Sequence, residues 1–149
     1  VSDVFRSGDA SGAAISHGYT YSGHPVAASA ALAALDLIER EGVVANAAQQ
    51  GQYLMERLTD LGRKSRLIGD VRGIGLMAGM ELVADKATKA PFGRGAKEVT
   101  MVAREAYARG AMVRTSGPNI ILSPALTISR SEVDFLCDAL EGAFMAVER

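Results

Sequence analysis

Val71-Arg72-Gly73-Ile74-Gly75-Leu76-Met77-Ala78-Gly79-Met80-Glu81-Leu82-Val83 is where the period of the chain changes. Ile74, Leu76, Ala78, Met80 and Leu82 recur at every second residue, the repeat of a strand with one face buried. The segment predicts a strand with a bend at Gly73. On both sides of it the spacing is helical. Pro25 to Glu41 carries Leu32, Leu35 and Ile38 on one stripe and Ala27, Ala31 and Ala34 on a second. Proline in the first turn and Gly42 just past the end complete a helix expected to pack on two sides. A second helix is predicted from Val44 to about Leu61 on Leu54, Leu58 and Leu61, with Gly62 as its stop.

Beyond the strand, Asp85 to Gly95 is a polar loop with breakers, and Ala96 to Arg109 is a helix closed by Gly110. Ala111 to Arg114 and Asn119 to Leu122 flank Ser116-Gly117-Pro118 and predict an antiparallel hairpin with Arg114 at the end of its first strand. Ser129 and Glu132 form a capping box that opens a last helix with Val133, Leu136, Leu140, Phe144 and Val147 buried. Helices alternating with three short strands, two of them joined by a tight turn, make an α+β domain with a mostly antiparallel sheet.

Composition narrows the function classes. The 149 residues are 48% hydrophobic and 22% charged, ordinary for a globular domain and unlike a disordered chain. Sixteen Lys plus Arg against 17 Asp plus Glu give a net charge of -1, which supplies no basic field for nucleic acid or anionic membrane. Asp36 and Glu39 interrupt the longest apolar run, so a membrane span is not expected and a soluble, cytoplasmic protein is. One cysteine, Cys137, excludes an internal disulfide, and two histidines form no metal-ligand cluster. The chain opens on Val1 and a Gly/Ser-rich stretch, Ser7 to Gly12, which reads as mid-protein sequence.

Candidate chemistry is sparse. The Gly73, Gly75 and Gly79 run lies inside an alternating strand, where small residues let backbone or a helix pack closely, rather than between a strand and a helix as a dinucleotide loop requires. Cys137 falls on the apolar stripe of the last helix and is expected to be a core thiol. Ser22-Gly23-His24 lacks the elbow and the orienting carboxylate of a hydrolase triad. His17-Gly18-Tyr19-Thr20-Tyr21-Ser22-Gly23-His24-Pro25 stands out, with two aromatics, two hydroxyls and both histidines in nine residues before a helix. Unpaired amides and the helix dipole there suit an anion, and the same residues also suit a plain N-capping turn. Arg114, beside a turn, could pair bidentately with a carboxylate or simply reach solvent.

At these two places the sequence resembles the C-terminal part of class III pyridoxal-phosphate-dependent aminotransferases, the ω-transaminase group. The resemblance is carried by His17 to Pro25, by Gly69 to Met77 with Gly79 and Glu81, by Ala84-Asp85-Lys86-Ala87-Thr88-Lys89-Ala90-Pro91-Phe92, and by Ile121-Leu122-Ser123-Pro124-Ala125-Leu126. It covers nearly the whole chain, with the blocks in the family's order. It implies the small C-terminal domain of a fold-type I enzyme, with residues 1–24 a loop and cofactor-phosphate motif ending the large domain, residues 25–42 a connecting interdomain helix, and residues 43–149 the small domain.

The resemblance also implies roles. Thr20 would be the hydroxyl that binds the phosphate of pyridoxal 5'-phosphate across a homodimer interface, Tyr19 would line the neighbouring subunit's substrate pocket, and Arg114 would meet the substrate carboxylate. The activity implied is transfer of an amino group from an amine or ω-amino acid to a keto acid such as pyruvate. A decarboxylase or aminomutase of the same class, or an α+β binding module without the chemistry, would carry many of the same blocks. The family's Schiff-base lysine lies upstream of the Thr20 motif, where this sequence has no lysine, and Lys64 is the first one. The 149 residues alone are therefore expected to be inactive, with no catalytic residue or metal ligand among them. Pro118 and Asn119 follow Gly117 where the family often has an acidic residue.

Overall fold

The computed structural model describes residues 18–149; the Ser7 to Gly12 stretch and His17 lie outside the described residues. Four helices and four strands follow in the order α1 (Pro25–Arg40), α2 (Val43–Lys64), β1 (Ile68–Ile74), β2 (Met77–Leu82), α3 (Glu98–Ala108), β3 (Arg114–Ser116), β4 (Asn119–Leu122) and α4 (Arg130–Val147) among the described residues. They divide into two compact units between Leu37 and Ile38. No helix among them is long and apolar enough to cross a membrane.

The second unit is built on one antiparallel sheet with strand order β1-β2-β4-β3. Helix α2 lies against β1 and β2, α3 against β3 and β4, and α4 packs on both helices. Inward-facing Met80 and Ile120 are fully buried with Leu54 and Leu58 of α2, Val102 of α3, and Leu140 and Phe144 of α4. The expected α+β class is what forms. Burying a side chain of this size stabilises by about 1.5–3 kcal/mol, so this one cluster outweighs the surface pairs around it.

At two glycines the elements depart from the sequence reading. The expected single strand is a hairpin: Ile74 pairs with Met77 across Gly75-Leu76, and Gly75 has a φ of +54°. The alternation that ran through Ile74, Leu76 and Ala78 concealed the turn, because Leu76 is buried from within it. Helix α2 does not stop at Gly62 but continues to Lys64. A Cβ on Gly62 would lie 2.9 Å from Val71 Cγ2, so this glycine serves close approach of helix and strand. Lys86 then closes the helix end, donating to the carbonyls of Gly62 and Ser65, the latter at 2.7 Å.

The last helix begins as its sequence predicts. Ser129 Oγ accepts from Glu132 N and the Glu132 carboxylate accepts from Ser129 N, closing the capping box. Cys137 is buried on this helix, and burial pushes its thiol pKa up to about 11, as befits a core residue and not a nucleophile. A polar clamp ties α4 to α2. Arg57 donates to Asp134 and Asp138, Tyr53 donates to Asp134, and the Arg130 guanidinium stacks over the Tyr53 ring at 3.7 Å.

Helix α1 forms over its expected span, yet none of its residues is buried. Leu32 is 64% exposed and Leu35 60%.

Candidate functional site

Arg114 is the first residue of β3 and not the last residue of a strand. The turn lies later than the sequence suggested, because Ser116 pairs with Asn119 and leaves Gly117-Pro118 as a two-residue loop. Gly117 takes a φ of +55° at the first loop position, as a hairpin turn of this length demands, and proline follows where no amide donor is needed.

Register then decides which residues share Arg114's face. Arg114 stands opposite Ile121, Ile121 opposite Gly79, and Gly79 opposite Arg72. Directly opposed residues point to the same side, so one row crosses all four strands with an arginine at each end. The next row, Val71, Met80, Ile120 and Thr115, points the other way, and its central Met80 and Ile120 are buried in the core. Arg72 and Arg114 therefore face away from the core.

The two arginines differ in their surroundings. Arg72 donates to Asp70 at 2.6 Å, to Glu81 at 3.0 Å and to Asn119 at 3.4 Å. Its pKa is raised by the bond to Asp70 and then by that to Glu81, which marks a cation already matched by two carboxylates. The Arg114 guanidinium has no partner among the described residues and is exposed. It borders two cavities. One of about 620 Å³ spreads over the outer face between Arg72, Gly79, Ile121 and Ser123. The other, of about 430 Å³, reaches past Met112 and Pro124 to Leu136. An uncompensated guanidinium at the rim of two partly apolar hollows can hold a carboxylate in either.

Tyr19 and Thr20 belong to the first unit. They sit in a turn that leads into α1, closed by Ser22 N donating to Tyr19 O at 2.9 Å and His24 N to Tyr21 O at 3.1 Å. The His24 Nδ1 accepts from Ala27 N at 3.4 Å and so caps the helix, while Tyr21 and His24 meet edge to face with centroids 6.2 Å apart. The turn does cap the helix, and Thr20 remains exposed at its head with its hydroxyl turned to no neighbour among the described residues.

Sequence reasoning left Arg72, Glu81 and Asn119 without a role. Their signal was present as alternation: Asp70 and Arg72 on one strand, Gly79 and Glu81 on the next, each two apart and thus on one face. What hid it was the turn at Gly75, without which no register can be drawn.

The aminotransferase class-III family pattern matches residues 1–144. An adenosylmethionine-8-amino-7-oxononanoate aminotransferase of Methanocaldococcus jannaschii is 42% identical over 124 residues, 83% of this chain and 27% of its own. An isoleucine 2-epimerase of Lentilactobacillus buchneri is 41% identical over 133 residues, 89% of this chain and 29% of its own. Among solved structures, a PLP-bound amine transaminase from an uncultivated Pseudomonas species superposes with a TM-score of 0.82 at 47% identity, covering 89% of this chain and 30% of that one. The chain spans less than a third of the length of each of these proteins. The match in sequence over residues 1–144 and the match in fold carry one conclusion: the chain belongs to the class III aminotransferase family.

Proposed function

We propose that this chain is the C-terminal part of a pyridoxal-phosphate-dependent aminotransferase that moves an amino group from an amine or ω-amino acid to a keto acid such as pyruvate, working as a cytoplasmic homodimer. In this reading residues 1–24 end the large domain, residues 25–42 connect, and residues 43–149 are the small domain. The observation that carries it is the contrast between the two outer-face arginines. Arg72 is neutralised by Asp70 and Glu81, and Arg114 is left uncompensated beside two cavities.

Arg114 binds and orients the carboxylate of the keto acid or amino acid. Two cavities at its rim give the guanidinium room both to engage a carboxylate and to turn aside for an uncharged amine. Tyr19 lines the substrate pocket of the neighbouring subunit. Thr20 gives its hydroxyl to the cofactor phosphate there, and the residues at hand fit that task in part. The turn at 18–24 offers exposed hydroxyls and a helix N-terminus but contains no lysine or arginine, so it supplies a contact and not the whole phosphate site. The cofactor, when bound, supplies the electron sink for labilising the bond at the amine carbon. The lysine that would hold it corresponds to no position of this sequence, so these 149 residues alone turn over no amine.

The test is made in the full-length protein. Arg114→Ala lowers kcat/KM for pyruvate about 10- to 100-fold more than for an uncharged aldehyde acceptor, the size of one charge-assisted hydrogen-bonded pair. Thr20→Ala weakens retention of pyridoxal phosphate on dialysis. Equal losses on both acceptors, with unaltered cofactor retention, would sink the reading. The 41% identity to an isoleucine 2-epimerase favours one rival chemistry, inversion at the amine carbon. Loss of optical activity from a single amino acid without any keto acid present would establish it instead.

A further inference from the structure

Gly79 occupies the centre of the row that ends in Arg72 and Arg114, and ordinary reasons for a glycine do not apply to it. Its backbone is not in the left-handed region, unlike Gly75. Among the described residues a Cβ built on it meets nothing closer than Ile120 O at 3.8 Å, whereas one on Gly73 would strike Met77 O at 2.5 Å. A glycine inside a strand forfeits side-chain packing and chain entropy. What it leaves is space: Gly79 forms part of the floor of the cavity of about 620 Å³ that Arg114 borders.

Arg72, Asn119 and Arg114 line the same cavity. Arg72 is drawn toward Asp70, Glu81 and Asn119, on the row beside Gly79's. Ile121 alone of the row stands between Gly79 and Arg114. A side chain at Gly79 would rise from the sheet into the hollow within which the Arg114 guanidinium and a carboxylate would meet.

We propose that Gly79 is a specificity-determining position, whose missing side chain keeps open the ground on which Arg114 receives the substrate carboxylate. The inference rests on the reading of Arg114 as the carboxylate partner. It assigns the choice between carboxylate-bearing and neutral acceptors to Gly79 as well as to the arginine. Valine at this place suits strand backbone, and its Cβ makes only an ordinary contact with Ile120 O at 3.8 Å, so it fills the hollow without forcing the sheet.

The experiment uses the full-length holoenzyme with Gly79→Val, Gly79→Ala and Arg114→Ala. Three quantities are read: kcat/KM for pyruvate relative to butanal, the Kd of benzoate as a carboxylate that cannot react, and the melting temperature. Gly79→Val should lower the pyruvate-to-butanal ratio and raise the benzoate Kd by about tenfold or more, since small misplacements of a binding group carry effects of that order. Gly79→Ala should give an intermediate change of the same sign, and it decides the matter should the valine variant fail to fold. An unchanged ratio and benzoate Kd, or equal losses on pyruvate and butanal, overturns the proposal. Arg114→Ala separates the two claims. If it leaves benzoate and the ratio untouched, the reading of Arg114 fails; if it shifts both while the Gly79 variants shift neither, the inference on Gly79 fails alone.

Discussion

The turn around Thr20 and the strand row around Arg114 hold their side chains by different means. Thr20 is carried by a turn of two backbone hydrogen bonds and a histidine cap, all within seven residues of it and leading into a helix with no buried residue. Arg114 is carried by a strand whose register is shared with three others and whose opposite face is locked by Met80 and Ile120 in a closed core. The first arrangement is local and has little tertiary support among the described residues. The second is non-local, so a change far from Arg114 in sequence reaches it. The backbone that carries Arg114 is thus fixed by a core the chain builds itself.

The sharpest way to break this contrast is to empty the core beneath the row. Met80 is fully buried on the inner face, in β2 next to Gly79. Met80→Ala should cost about 2–5 kcal/mol of unfolding free energy in urea titration of this chain, the range for a large-to-small change at a buried site. Amide exchange should quicken throughout β2 and β4 while the amides at 22 and 24 keep their rates. Equal acceleration in both places would mean that the two regions are not independent.

A smaller effect comes from the seam between α2 and the β1–β2 turn. A Cβ on Gly51 would lie 2.3 Å from the Gly75 carbonyl carbon and 2.4 Å from its oxygen, both backbone atoms that cannot swing aside. Gly51→Ala should therefore destabilise by about 1–3 kcal/mol despite the better helix propensity of alanine. A variant as stable as the parent would show that helix and turn separate freely, and that the sheet does not depend on the close approach.

How far the two regions could be read in advance follows the same division. Periodicity places all four helices, because each has an apolar stripe or a cap strong enough to stand alone, as Ser129 with Glu132 does. It fails at Gly75 and Gly62, where one residue type serves two opposite purposes. Glycine can turn the chain or let two elements touch; the positive φ of Gly75 makes it the first, and Val71 against Gly62 makes that glycine the second. Arg114 and Thr20 were both legible as candidates from local composition and the family resemblance. The row linking Arg114 to Gly79 and Arg72 was not, since it exists only once the pairing of four strands is known.

Acid provides the mildest probe of the difference, because the second unit carries carboxylates whose charge the fold has come to need. Glu132 accepts from Ser129 N and Oγ, and these bonds hold its pKa below the usual glutamate range. Asp85 is held low likewise by the Thr88 and Ala87 amides. A carboxyl whose pKa is lower folded than unfolded stabilises the fold above its unfolded value and loses that contribution as pH falls through its folded one. For Glu132 the loss should begin near pH 4.5, its ordinary value, and continue below it. Glu132→Gln should then be less stable than the parent at neutral pH and converge with it in acid, with the convergence seen as melting curves that meet on lowering pH. The hydrogen bonds closing the Thr20 turn join backbone groups that do not titrate, so this substitution should leave amide exchange at 22 and 24 as it was. A gap between Glu132→Gln and the parent that stays constant from neutral to acid pH would show that the cap works through shape alone, and that pH offers no handle on the region that positions Arg114.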